Sequence, residues 1–221
     1  MPHFFSLTFA CFVIILFSTI NFSQFGGEKM KVLKIVLIVL AVLIGVIIIL
    51  GFVAPKKYHV ERDVIINAPK PLVFQHIKYW DNWHAWSPWA ERDTIMTYSI
   101  KGTDGEEGSI YSWVGDPKIT GTGEMVNTGI IENEEINYRL HFFEPMEDVS
   151  DGYLRLSEVD EGTRVVWAFY GTNPFPWNVV MLFMSLEKMV GPDFEHGLAM
   201  LKEICENEAA EAHQGSVQHD K

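Results

Sequence analysis

The chain has 221 residues, 48% hydrophobic and 21% charged, with a formal net charge of −12. That acidity argues against a nucleic-acid partner, because holding a phosphate backbone takes clustered Lys and Arg, and against broad adsorption of the soluble part to anionic lipid. Two cysteines, Cys11 and Cys205, are too few for a disulfide framework or a thiolate metal site.

The first elements are apolar. Phe4 to Ile20 is an apolar run that carries Ser6, Thr8, Ser18 and Thr19 and has almost no basic flank. It reads either as a membrane span or as translated sequence upstream of a true start at Met30. The second reading is preferred, because codons for Gly26-Gly27-Glu28 can spell a purine-rich ribosome-binding sequence just ahead of Met30. Residues 1–29 are accordingly expected to be an extension outside the folded protein. The run IVLIVLAVLIGVIIILGFV, Ile35 to Val53, has no charge over 19 positions. As a helix it would be about 28 Å long, close to the hydrocarbon thickness of a bilayer. A transmembrane helix over 32–53 is predicted, with Lys31 and Lys34 before it and Lys56-Lys57 after it, and no signal-peptidase-like site follows. One span with a cytoplasmic N-terminus puts the rest of the chain outside the cytoplasm, as a single-pass anchor in a bacterial inner membrane; two spans would return it to the cytoplasm.

The pattern then changes. Tyr58–Ala68 alternates as a strand and stops at Asn67-Ala68-Pro69, and Leu72, Val73, Phe74, Ile77 and Trp80 fall at helical spacing. Next comes WDNWHAWSPW, which holds four of the seven tryptophans, three residues apart. Strands are predicted at 94–101, 109–114, 118–131, 135–143, 152–159 and 163–171, separated by Gly-, Asp- and Pro-containing turns. Gly121 and Gly123 mark a place where the strand bends or a bulky neighbour crosses it. Trp177–Val190 reads as an apolar helix interrupted by Gly191-Pro192-Asp193, followed by an amphipathic helix with Phe194, Leu198, Leu201 and Ile204 inward. A polar tail is expected over 209–221. Short strands with short turns make an antiparallel sheet, which must bury one face against the C-terminal helix.

INAPKPLVFQHI, then WDNWHAWSPW, then GTRVVWAFYG, then DFEHGLAMLKEICE, in that order, resemble the START-like, Bet v 1-like (SRPBCC) superfamily, and within it members of polyketide cyclase/dehydrase type. The similarity runs over about residues 57–208. It implies an α+β helix-grip fold: a curved antiparallel sheet of six or seven strands wrapped around a long C-terminal helix, with a cavity between them. It also implies a hydrophobic or lipid-like ligand; a minority of such proteins are enzymes.

The tryptophans at steps of three cannot share one helical face, since each step drifts by about 60°. Pro88 suggests a short helix broken there. Each ring can bury about 150–250 Å², roughly 4–6 kcal/mol before entropy. They therefore either plug one end of a core or, for Trp86 and Trp89, line a cavity mouth. The candidate ligand-facing residues are Trp86, Trp89, Trp113, Tyr138, Phe142, Trp167, Phe169, Met184 and Leu198. Tyr138 and Phe142 alternate with Leu140 on one strand, as Trp167 and Phe169 do with Val165 on another, and the methionines of Trp177–Val190 suit an irregular apolar ligand, plain core or a membrane surface.

No His pair has metal-ligand spacing, no serine sits in a nucleophile-elbow context, and no Gly-rich loop suits a nucleotide. No catalytic residue, metal or cofactor is assigned. His141 or Glu124 facing inward would favour proton-transfer chemistry; a filled interior would favour a protein-interaction module.

Overall fold

The computed structural model describes residues 28–219. The expectations for residues 1–27, the second apolar run and the upstream start, lie outside the described residues. The chain divides into two compact units, Met1–Val53 and Ala54–Lys221.

In the first unit, helix α1 spans Glu28–Val53. Its segment Lys31–Val53 is 23 residues long, and apolar enough to cross a membrane. Nearly all its side chains are exposed, Ile49 by 64% and Leu43 by 53%, so no core among the described residues accounts for their apolarity.

The second unit opens with β1 (Lys57–Ile66) and three short helices, α2 (Lys70–Lys78), α3 (Trp80–Trp86) and α4 (Pro88–Arg92). Pro88 stands at the first position of α4, where its missing N–H costs nothing, and the Ser87 hydroxyl accepts a hydrogen bond from the Ala90 N–H. Six strands follow: β2 (Thr97–Lys101), β3 (Ile110–Val114), β4 (Thr122–Ile131), β5 (Glu135–Glu144), β6 (Asp148–Val159) and β7 (Gly162–Thr172). All neighbours pair antiparallel in the order β1-β7-β6-β5-β4-β3-β2. The curved seven-stranded sheet and the long terminal helix make the α+β helix-grip fold expected from the sequence.

Several boundaries differ from expectation, and β2 and β4 begin at Thr97 and Thr122, three and four residues later than expected. β6 begins at Asp148, four residues early, because Asp148 and Val149 pair with Phe142 and His141 of β5 and lengthen that hairpin. The apolar stretch after β7 is not one helix. It holds a single turn, α5 (Trp177–Val180), then further turns, and the C-terminal helix α6 runs from Leu186 to His219 straight through Pro192. Pro192 falls within the first two turns of α6, so its missing N–H costs a single early hydrogen bond. Gly191 has no side chain to collide with the Arg62 guanidinium packed against it. The helix also continues beyond Glu208, through the expected polar tail.

The core lies between the sheet and α2, α3 and α6. Phe74, Trp80, Trp86, Trp167, Leu198 and Leu201 are among its fully buried side chains. On the surface, Arg62 of β1 pairs with Glu187 and Glu195 of α6, and Arg92 of α4 pairs with Asp193. These contacts hold the first half of α6 over the sheet.

Candidate functional site

A cavity of about 190 Å³ lies between the sheet, α3–α4 and the start of α6. Period-2 alternation builds its floor. Tyr111 and Trp113 of β3, Met125 of β4, Tyr138, Leu140 and Phe142 of β5, and Trp167 and Phe169 of β7 all face it. Val190 and Phe194, one turn apart on α6, form the opposite wall. Trp83 of α3 and Trp89 of α4 close one side, and Met96, Ile119 and Thr120 come from loops.

The wall rings are fixed by contacts behind them. Trp167 is the hub: it stacks on Phe194 with centroids 4.0 Å apart and planes within 2°, and Trp83, Trp86 and Trp89 each meet it edge-on at 5.3–5.8 Å. Its indole N–H donates to the Tyr138 hydroxyl at 2.8 Å. Trp113 lies across Gly123 on the neighbouring strand, where a Cβ would overlap its ring, and its N–H donates to the Thr120 carbonyl at 3.1 Å. Tyr138 lies across Gly152 in the same way. The two glycines exist to seat two aromatic rings of the wall.

The structure places six of the sequence-derived candidates around the cavity: Trp89, Trp113, Tyr138, Phe142, Trp167 and Phe169. Three are elsewhere. Trp86 is wholly buried behind the wall and donates its N–H to the His76 carbonyl at 3.2 Å. Trp83 takes the inward place instead, because α3 ends at Trp86 and the Ser87-Pro88 break turns Trp89 back toward Trp167. Leu198 is core one turn beyond Phe194, and Met184 is a 44%-exposed residue of the loop before α6. Tyr111, Met125, Leu140, Val190 and Phe194 also line the cavity. Alternation with Tyr138 and Phe142 marks Leu140, and four-residue spacing marks Val190 with Phe194.

Among the described residues, no Asp, Glu, His, Lys or Arg lines the cavity. His141 shares β5 with Leu140 and Phe142 but points from the other pleat face, where it meets Glu147 at 3.4 Å. Arg139, on that face too, pairs with Asp151 at 2.9 Å. Glu124 sits opposite His141 in the β4–β5 register and does not reach the cavity. Of the polar wall groups, Ser87 caps α4, Thr120 donates to the Asp93 carboxylate, and Tyr138 accepts from Trp167. The Tyr111 hydroxyl is buried with no hydrogen-bond partner among the described residues. Burial raises the pKa of both Tyr111 and Tyr138, so both stay neutral. Among the described residues no three metal-ligating side chains cluster.

The arrangement can exclude water and enclose an apolar guest. Solved structures share this fold at low identity. The di-domain ARO/CYC StfQ from the steffimycin biosynthetic pathway superimposes with a TM-score of 0.53 at 11% identity, over 70% of this chain and 52% of that one. A protein of Nitrosospira multiformis matches at 0.50 and 17%, over 69% and 99%, and a protein of Rhizobium leguminosarum at 0.50 and 15%, over 70% and 97%. No curated protein matches the sequence. The family model described as polyketide cyclase / dehydrase and lipid transport matches residues 57–206, more than half the chain. On that match, and with the helix-grip fold and its apolar hollow in place, the chain belongs to the polyketide cyclase/dehydrase and lipid transport family.

Proposed function

We propose that the protein is a membrane-anchored binder of a compact hydrophobic molecule, held in the cavity between the sheet and α6. The observation that carries this reading is a hollow walled mainly by aromatic and aliphatic side chains, with no charged group in it among the described residues. Apolar walls replace water around a guest, and the neutral hydroxyls of Tyr111 and Tyr138 are the groups available to orient it. Size narrows the class. An apolar cavity of about 150 Å³ takes benzene, and drug-sized ligands occupy about 300–1,000 Å³. At about 190 Å³ this one suits a one- or two-ring compound, or a short segment of a longer chain. A two-tailed lipid does not fit inside it.

Cyclase or dehydratase chemistry needs groups that move protons near neutral pH. Among the described residues, the titratable groups of the lining are Tyr111 and Tyr138, whose pKa burial has raised, which supports binding over catalysis. The hollow is also several times the ~30 Å³ share of one water molecule, which supports a guest over a collapsed interaction module.

The apolar, exposed length of Lys31–Val53 supports the anchor. We assign the domain to the extracytoplasmic side of a bacterial inner membrane, as a single span with a cytoplasmic N-terminus requires. Native mass spectrometry of the detergent-extracted full chain should show a bound small apolar mass, and a two-ring compound that carries one hydroxyl, 2-naphthol, should raise the unfolding temperature. A clean apo mass, with no shift across a panel of one- and two-ring compounds, would overturn the reading. Resistance to alkaline carbonate extraction checks the anchor separately.

A further inference from the structure

The segment between β7 and α6 presents an apolar surface that the cavity does not use. From Pro174 to Leu186 there is no charged residue. Six large side chains in and just after it stand out from the fold: Phe183 is 82% exposed, Phe175 and Met189 53%, Leu182 45%, and Trp177 and Met184 44%. Contiguous exposed apolar side chains of this size mark an interaction surface.

The segment is held in shape. Val179 and Asn178 are its buried anchors. Five of its backbone N–H groups bond within the loop: Asn178 to the Pro174 carbonyl, Val179 to Pro176, Met181 to Trp177, Leu182 to Val179 and Phe183 to Val180, all at 3.0–3.2 Å. Internal satisfaction of N–H groups is what a segment entering a low-dielectric medium requires.

Its place in the chain identifies the medium. The Asn173 N–H donates to the Lys56 carbonyl at 2.7 Å, and the Asn178 side-chain amide reaches the Ala54 carbonyl. Ala54 follows directly on Val53, the last residue of the apolar helix. The loop is thus fastened to the residues through which the chain leaves that helix. Lys56, Lys57 and Lys188 flank it, all exposed, as basic residues do at a headgroup layer.

We infer that the β7–α6 loop, led by Phe183, Trp177 and Leu182, inserts into the lipid surface beside the point where the chain is anchored. This rests on the anchoring reading above. The contact is apolar rather than electrostatic, since the loop carries no charge and the chain as a whole is acidic. Interfacial segments of this kind lie about 5–10 Å into the headgroup and acyl boundary. The loop leads directly into the first turns of α6, where Val190 forms part of the cavity wall. Docking would put that wall close to the bilayer, a source of apolar guests.

The test uses the full chain reconstituted in zwitterionic phosphatidylcholine vesicles containing doxyl-labelled lipid. In a Cys11→Ser background, Phe183→Cys and, as the control, Glu161→Cys each receive an environment-sensitive thiol dye. Glu161 is in the turn before β7, some ~35 Å of strand away from the loop. Both sites are exposed, and near-UV circular dichroism confirms folding. Several-fold stronger quenching at 183 than at 161 is the expected result. Equal quenching in a chain that stays in the vesicles would overturn the inference, leave the anchor intact and mark the surface as a protein-docking face. A chain that does not stay in the vesicles would remove the anchor and the inference together.

Discussion

Truncating the hub of the aromatic wall, Trp167→Ala, should be the most damaging single change in the domain. Its ring is 1% exposed, stacks on Phe194, and touches three other indoles. Trp→Ala in a core costs about 3–5 kcal/mol, and loss of the hydrogen bond to Tyr138 adds roughly 1 kcal/mol. The upper end applies, because the walls around the void come from β7, α3, α4 and α6 and cannot all move inward together. For a domain of this size each kcal/mol lowers the unfolding temperature by about 2–4 °C, so a fall of about 10–20 °C is expected. Near-UV circular dichroism during thermal unfolding of the full chain reads it, since that signal follows the packed indoles. Trp167→Phe keeps a ring over Phe194 and loses the N–H, and its melting temperature should fall between the two. A drop below about 4 °C for Trp167→Ala, near 1 kcal/mol, would refute the hub.

Two further outcomes follow from the cavity's supports. Gly123→Ala brings a Cβ into the Trp113 ring and the His141 carbonyl; overpacking costs about 1–3 kcal/mol and outweighs the roughly 0.5–1 kcal/mol that Ala gains over Gly in a strand. Thermal unfolding should therefore show a less stable variant, and an unchanged or higher melting temperature would mean that Trp113 does not cross this glycine. Asp93 accepts from the Thr120 hydroxyl and the Asp116 and Ile95 N–H groups, and these bonds, Thr120 first, hold its pKa below the usual aspartate value. A depressed folded pKa gives stability that is present above the unfolded value of about 3.9 and is lost as pH falls through the lower folded one. Asp93→Asn should thus unfold at a lower temperature than the native chain at pH 7, with the gap closing toward pH 3; a gap independent of pH would contradict the ionised clamp.

The alternation on β5 and β7 was legible in the sequence, and with it Tyr138, Phe142, Trp167 and Phe169. A strand's two faces differ by one residue, so a period-2 pattern fixes what points inward. The tryptophan run was legible only in part. Trp83 and Trp86 differ by one helical turn, and both are buried; which of them meets the cavity depends on where α3 ends and how it rolls against β7. Local sequence does not carry that roll. Phe194 reads as a core position on an amphipathic helix, and only the placement of α6 over β7 turns it into wall. Met184 differs again: an apolar run suits a ligand, plain core or a membrane surface equally, and the turns at 181–185, between α5 and α6, leave Met184 facing outward.

The hollow also raises a question of energy. At about 24 cal/mol per Å³, a hollow of about 190 Å³ would cost the domain some 4–5 kcal/mol if nothing filled it. That is a large fraction of the 5–15 kcal/mol by which a typical domain is stable, and collapse would recover it. Collapse is blocked residue by residue: Trp167 is clamped between Phe194 and the indoles of α3 and α4, Trp113 is seated over Gly123 and tied to Thr120, and Tyr138 is seated over Gly152 and tied to Trp167. Walls held open at such a cost make sense for a guest that refills the space. Refilling alone returns about 4–5 kcal/mol, equivalent to a dissociation constant near 1 mM. Micromolar affinity, about 8 kcal/mol, would need more than shape. It would need a hydrogen bond to a wall hydroxyl, with Tyr111 the candidate lacking a partner, or apolar contact continuing past the cavity. A guest of functional affinity is therefore expected to be larger than the hollow or to carry one polar atom, and a purely hydrocarbon guest of two rings or fewer should bind only weakly.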